Sequence, residues 1–415
     1  MAAGAASARL DLREVVAMGV GAMVGGGIFS VLGLAIAQAG HAAPIAFALG
    51  GVIALLTGFS YARLGLAFRS DGGSFTYLEH AFRHPNIAGL GGWLLLVGYI
   101  GTMGLYAYTF GAYGSALLGS DGNPAMHHLL ESLVLLAFLG INLYGVKETG
   151  TTELVIVTIK VLILALFAVI GLGAMQADHL TPLFDKGYAG VIMGASLIFV
   201  AYEGFELIPN AVNEMQRPER NLKRGILLSV LITLTIYVLV SLVAVGNLTP
   251  EEIARYGEYA LAEAARPFLG QAGFVLIGLA ALFSTSSAIN ATLFGTARLG
   301  VEMARERALP QVFSLRRRQN HIPWASLIII TAVTLVFVNS ADLTIISSFA
   351  SSTFLLIFFA INLSAWRLRA HIGLAGLWPA LAMALSLASW LALVFWLWRD
   401  KPDSLYWVGL FYLAV

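Results

Sequence analysis

Apolar runs of about twenty residues recur from one end of the chain to the other, separated by short polar stretches that carry most of the Lys and Arg. A run of that length crosses a hydrocarbon core of about 30 Å as a helix rising about 1.5 Å per residue. Charge-poor windows predict twelve spans, near 15–39, 44–67, 88–118, 127–146, 152–175, 189–213, 225–246, 272–303, 324–339, 343–366, 376–398 and 404–415. The last is too short to cross, so the span is expected either to continue past Val415 or to be distorted. Between spans, "GGSFTYLEHAF" (72–82) predicts a short amphipathic segment at the inner face. "NLTPEEIARYGEYALAEAARPFLG" (247–270) predicts an outer loop holding one or two short helices that form a lid. "MARERALPQVFSLRRRQNHIP" (303–323) predicts a basic inner loop whose Arg316–Arg318 cluster serves topology or binds anionic lipid. His127 and His128 read as outer-loop residues.

Composition narrows the class. Hydrophobic residues make up 59% and charged residues 11% of the 415 residues, with a mean hydropathy of +0.83; a soluble chain carries about a quarter charged residues. The sequence is that of an all-α polytopic membrane protein. A formal net charge of +1 argues against nucleic acid as a partner. The absence of Cys excludes disulfides, thiolate metal sites and cysteine nucleophiles. The first apolar run is too long for a cleaved signal peptide, so none is expected. No HExxH, P-loop or GxSxG pattern occurs in its required setting, and no nucleophile–base set or metal cluster is visible, so an enzyme is not expected.

Charge then orients the spans. With the N-terminus inside, 18 of the 24 Lys and Arg fall on inner segments and 5 on outer ones, leaving Lys160 within a span. That bias predicts a cytoplasmic N-terminus and a multi-pass protein of the cell membrane.

Three places break the rules of a membrane helix. "AMVGGGIFSVLG" (22–33) sets three glycines at the middle of span one, each costing about 1 kcal/mol relative to Ala in a helix interior. One reading is close helix packing. The other is a helix interrupted at the midplane, whose freed N–H groups and positive dipole end receive a carboxylate. "IFVAYEGFELIPNAVNE" (198–214) in span six is the second break, with Gly204, Pro209 and two acids, Glu203 and Glu206, inside an apolar run. The two interruptions lie five spans apart, an odd offset that places the halves in opposite orientation, as in inverted repeats. The third anomaly is Lys160 in "TTELVIVTIKVLILALFAVIGL" (151–172), roughly 12 Å along span five. It either snorkels to the interface or faces the bundle as a fixed, titratable cation in place of a bound sodium ion. Span eight adds "LFSTSSAINAT" (282–292), whose Ser284, Thr285, Ser286 and Ser287 bond their own helix carbonyls or accept from the Lys160 ammonium.

These segments resemble the amino acid–polyamine–organocation transporter family along essentially the whole chain. "GAMVGGGIFSVLG" (21–33) is similar to its carboxylate-binding break, "GGSFTYLEHAFRHPNIAGLGGW" (72–93) to its inner-loop signature, "NEMQRPERNL" (213–222) to the stretch after span six, and "ARLGVEMARERALPQVF" (297–313) to the one after span eight. The resemblance implies a leucine-transporter-like 5+5 inverted repeat with two additional C-terminal spans: repeat one about 12–175, repeat two about 188–366, extra spans about 376–415. The likeness extends to the sodium-independent, proton-coupled ApcT type, in which a span-five lysine replaces the second sodium site. Lys160 holds that position, with Ser286 and Ser287 in the matching span-eight segment.

By the same resemblance the N–H groups of Gly25, Gly26 and Gly27 receive a substrate carboxylate. Carbonyls near Val24 and along Phe199, Val200, Ala201 and Tyr202 receive its ammonium. Tyr202 and Phe205 are the candidate gate. Glu206 stands where the family is often acidic, whereas Glu203 stands where an apolar residue is expected and either contacts substrate or pairs with a helix neighbour. Met103, Tyr106, Glu203 and Asn290 are candidates for the side-chain pocket. The function implied is proton-coupled amino acid symport by alternating access, with the proton as coupling ion, no cofactor and no sodium, and with membrane lipid as surroundings. No protein partner is implied. The alternatives are an amino acid or amine exchanger without proton coupling and a non-transporting membrane receptor.

Overall fold

The computed structural model describes residues 9–70, 72–82, 84–145, 150–317 and 322–414. Arg83, Lys147 and Arg318, counted in the charge bias, lie outside them. Helices fill all twelve predicted windows, and among the described residues extended backbone pairs only at a bridge between Leu10 and Met215.

The first span is two helices, α1 (Leu12–Met23) and α2 (Gly27–Ala39), and α3 (Ala43–Ala67) follows after a 3-10 turn at Gly40–Ala42. Asp11 and Glu14 form a capping box that starts α1. Next come α4 (Gly73–Phe82), α5 (Pro85–Leu117), α6 (Pro124–Tyr144) and α7 (Gly150–Ala174). The sixth span is again split: α8 (Gly187–Leu197) gives way to 3-10 turns at Phe199–Tyr202 and Phe205–Glu214, bent by 50°. Beyond it run α9 (Pro218–Asn247), α10 (Pro250–Arg255), α11 (Ala260–Arg305), α12 (Trp324–Val338), α13 (Leu343–Arg367), α14 (Leu377–Asp400) and α15 (Pro402–Ala414).

Eight described helices are long and apolar enough to cross a membrane, nine if the bent sixth pair is one span. That count merges α2 and α3 into Gly27–Ala67. It omits α12 and α15, which have 15 and 13 residues. The chain is an all-helical, multi-pass membrane protein.

Several helices extend beyond their predicted windows because a cap or proline starts them early. Pro85 and Pro218 occupy the first turns of α5 and α9, where the missing N–H costs nothing. The Asn123 side chain accepts from Ala125 and Met126 and starts α6 at Pro124. His127 and His128 are therefore helical, not loop residues: one ring meets Tyr108 O at 2.9 Å and the other Glu131 at 2.7 Å. In α11, Gly270 at φ +62° separates a first segment from the spanning one.

Burial sorts the spans into two shells. Inside the protein lie 78% of the most apolar window of α13 and 72% of that of α5, against 22% for α6 and 28% for α14. The inner shell surrounds the two broken spans, which meet at Gly204. Its φ of +126° is open to glycine and strained for other residues, and an added Cβ would lie 2.6 Å from Ala22 Cβ and 2.9 Å from Met23 N. Gly204→Ala is expected to cost about 1–3 kcal/mol and to lower the melting temperature in detergent by several degrees. Gly295→Ala, where nothing lies within 4 Å, is expected to leave it unchanged or raise it; equal melting of the two variants would overturn this account.

Candidate functional site

Residues Val24–Gly26 form a turn between α1 and α2, and each of the three glycines is met by a different element. A Cβ on Gly25 would lie 2.6 Å from Ala288 Cβ of α11. On Gly26 it would overlap the Tyr106 ring of α5. On Gly27 it would lie 2.6 Å from the Tyr237 hydroxyl and 2.9 Å from the Ala201 backbone. The interruption is therefore also a place of close packing: the chain unwinds where four neighbours press against its backbone. The Gly25 N–H is bonded to Ala22 O at 3.2 Å. Gly26 O accepts both the N–H and the hydroxyl of Ser30, at 2.9 and 2.7 Å, and Thr109 donates to Ser30 Oγ at 2.6 Å.

The sixth span is held by hydroxyls from α13. Ser347 and Ser351 donate to Leu197 O at 2.9 and 2.7 Å, and Val200 N–H donates to Ser351 Oγ at 3.0 Å. Tyr237 of α9 joins the two breaks: its hydroxyl lies 2.6 Å from Met23 O and 3.0 Å from Ala201 O. It has one proton for the two acceptors. Sequence reading passed over this residue, although a lone tyrosine in "LITLTIYVLVSLV" (231–243) signals a buried phenol in need of a partner.

Around the breaks, the named side chains go to different places. Glu203 is 3% exposed and sits at the non-helical junction before Gly204. Tyr106 donates to it at 3.4 Å. One Glu206 oxygen caps the Gly204 N–H at 2.7 Å. Tyr202 donates to Phe47 O of α3 at 2.7 Å, and Phe205 packs on Tyr61 and Phe358, so both candidate gate rings turn toward α3 and α13. The ring over the glycine turn is that of Tyr106. Met103 packs with Leu96 and Ile100, and Asn290 accepts from Asn142 of α6 at 2.8 Å.

Lys160 is 3% exposed, so its side chain lies inside the bundle and not at its rim. A Cβ on Gly21 would lie 2.5 Å from Val157 and 3.4 Å from Glu153. Positions 153, 157 and 160 share one helix face, so Lys160 lies on the face of α7 turned to α1, one turn beyond Gly21. Thr285 of α11 bonds its own helix at Ala281 O, 2.8 Å away, while Ser286 and Ser287 are half-buried.

A family model for amino acid permeases matches residues 10–415. The chain belongs to the amino acid permease family. It is 34% identical to an uncharacterized protein of Methanocaldococcus jannaschii, over 88% of this chain and 84% of that one. It is 30% identical to the inner membrane transport protein YbaT of Escherichia coli, over 96% and 93%. A methylthioribose transporter of Bacillus subtilis is 29% identical over 74% and 69%. The chain is a transporter and not an enzyme.

The two ends of the permease differ. At the arginine-rich end a cavity of about 760 Å³ reaches inward to Glu206 and Tyr99. Glu79, Glu206, Glu214, Glu302 and Glu306 line it against Arg298, Arg305 and Arg316. The opposite end is covered by the segment following α9. Thr249 and Glu252 form a capping box that starts α10, and Gly257 O presses against α2 where a Cβ on Gly33 would stand. Tyr108 donates to Glu258, and Tyr259 donates to Asp121 at 2.8 Å. Tyr237→Phe in the permease is expected to leave Met23 O and Ala201 O without this donor, costing about 1–3 kcal/mol, and to lower its melting temperature. Tyr188→Phe, at a 73% exposed tyrosine, should leave it unchanged; identical melting of both variants would remove the hydroxyl from this role.

Proposed function

We propose that this permease is a sodium-independent symporter of α-amino acids that couples uptake to protons through Lys160 and works by alternating access. The observation that carries the reading is the contact of two unwound spans, with Gly204 against Ala22 and Met23, and Gly27 against Ala201. There the unwound backbone becomes available to a zwitterion once the covering side chains move. The N–H groups of Gly26 and Gly27 begin α2 and sit at its positive dipole end, which suits a carboxylate. Gly25 joins them once its bond to Ala22 O opens. Carbonyls around Val24 and Phe199–Tyr202 suit the ammonium. Tyr106, whose ring covers Gly26, must move for the carboxylate to settle. In this reading it stands beside Tyr202 and Phe205 as a third gating ring.

The closed cover at one end and the cavity at the other support an inward-facing state, with the arginine-rich end cytoplasmic as the charge bias predicts. Five-plus-five inverted repeats account for the two breaks standing five spans apart. Lys160 is the coupling group: protonated, its ammonium holds α7 to the unwound end of α1, with Ser286 and Ser287 of α11 as further acceptors. Proton loss releases that contact and frees α1 to reorganise.

Uptake of radiolabelled alanine and arginine into proteoliposomes, with an inward proton gradient and no sodium, tests this. Wild type is expected to accumulate substrate, and Lys160→Ala to lose accumulation. Proton-driven accumulation surviving in Lys160→Ala would overturn the coupling role. Gradient-independent exchange, equal in both proteins, would establish the exchanger instead.

A further inference from the structure

The two acids of the sixth span bracket Gly204, yet they are committed differently. Glu206 gives one oxygen to the Gly204 N–H at 2.7 Å. Its other oxygen is buried, has no hydrogen-bond partner among the described residues, and belongs to a side chain lining the 760 Å³ cavity. Glu203 has a hydroxyl partner, Tyr106. Its contact with Tyr106 is 3.4 Å long, beyond the usual range for such a bond, and no basic side chain among the described residues pairs with it. Two carboxylates so close in a buried site are costly as anions unless a cation joins them. The cavity leading to Glu206 carries five carboxylates against three guanidinium groups, an excess that concentrates cations at its inner end.

The ring of Tyr106 ties these facts to the glycine turn, since it lies over Gly26 while its hydroxyl reaches Glu203. A carboxylate arriving at Gly26 displaces the ring, and Glu203 then loses that partner. A neutral substrate leaves that loss uncompensated. A substrate with a positively charged side chain supplies a stronger partner than the one removed.

We propose that Glu203, assisted by the free oxygen of Glu206, is the receptor for a second positive charge, so that the permease selects amino acids with a cationic side chain. This rests on the glycine turn being the amino acid site. It makes Glu203 a specificity-determining residue and gives a role to an acid where an apolar residue was expected.

The test is binding of radiolabelled arginine and alanine to the purified full chain, with competition by arginine against citrulline and by lysine against norleucine. These pairs share shape and differ in charge. Wild type is expected to prefer the cationic member by roughly ten- to hundredfold, the range for a hydrogen bond to a charged group. Glu203→Gln should bring both ratios near one, and Glu203→Asp should keep a reduced preference. Melting temperatures of the variants check that they are folded.

Equal competition by arginine and citrulline in wild type overturns the proposal without any variant. An unchanged ratio in a folded Glu203→Gln overturns it as well. So does loss of proton-driven accumulation of alanine and arginine alike with the ratio intact, which would make Glu203 a proton carrier. Alanine binding without an arginine preference removes this inference alone. Binding of neither amino acid to wild type removes the amino acid site, and this inference with it.

Discussion

The structure depends on the contact between two stretches of unwound backbone inside an apolar bundle. Water is not available there to satisfy N–H and C=O groups, and each one left unpaired costs several kcal/mol. The chain answers with side chains placed for that purpose. Tyr237 serves Met23 O and Ala201 O, Ser347 and Ser351 serve Leu197 O, Ser30 turns back on Gly26 O, and Glu206 caps Gly204. Glycine does the complementary work. It lets α5, α9 and α11 approach backbone at Gly25–Gly27, and it alone suits φ +126° at Gly204.

The polarity of the bundle follows from where these supports come from. Span six hangs from α13, among the most buried helices, whereas the unwound end of α1 is met by α7, α9 and α11. The covering segment at one end docks on α2, on α5 and on the turn after α5 through Gly257, Glu258 and Tyr259. At the other end, acids and arginines keep a polar cavity open down to Glu206. One end therefore holds a cavity while the other is covered.

Buried charge is concentrated around the same junction. Glu203, Glu206 and Lys160 are each at most 3% exposed. Intramembrane charges are retained where they face a cavity or a polar partner. Glu206 has both, Glu203 has the Tyr106 hydroxyl of α5, and Lys160 faces the helix that unwinds. Packing alone would be served as well by leucine at all three.

Much of this was legible in the chain. Window hydropathy marked twelve stretches that helices fill, because a bilayer demands long apolar runs. The glycines at 25–27 and the glycine and proline at 204 and 209 marked the interruptions, because local chemistry forbids a regular helix there. Boundaries were less legible where a cap decided them, as at Asn123, which drew His127 and His128 into α6. What the sequence could not supply was which groups meet across the bundle. That Tyr237 rather than a residue of spans one or six joins the breaks, and that Tyr106 rather than Tyr202 covers Gly26, depends on rotations of helices 36 to 214 residues apart in the chain. Periodicity along one helix says that a face is buried; only the packing of α5, α9 and α13 decided against what.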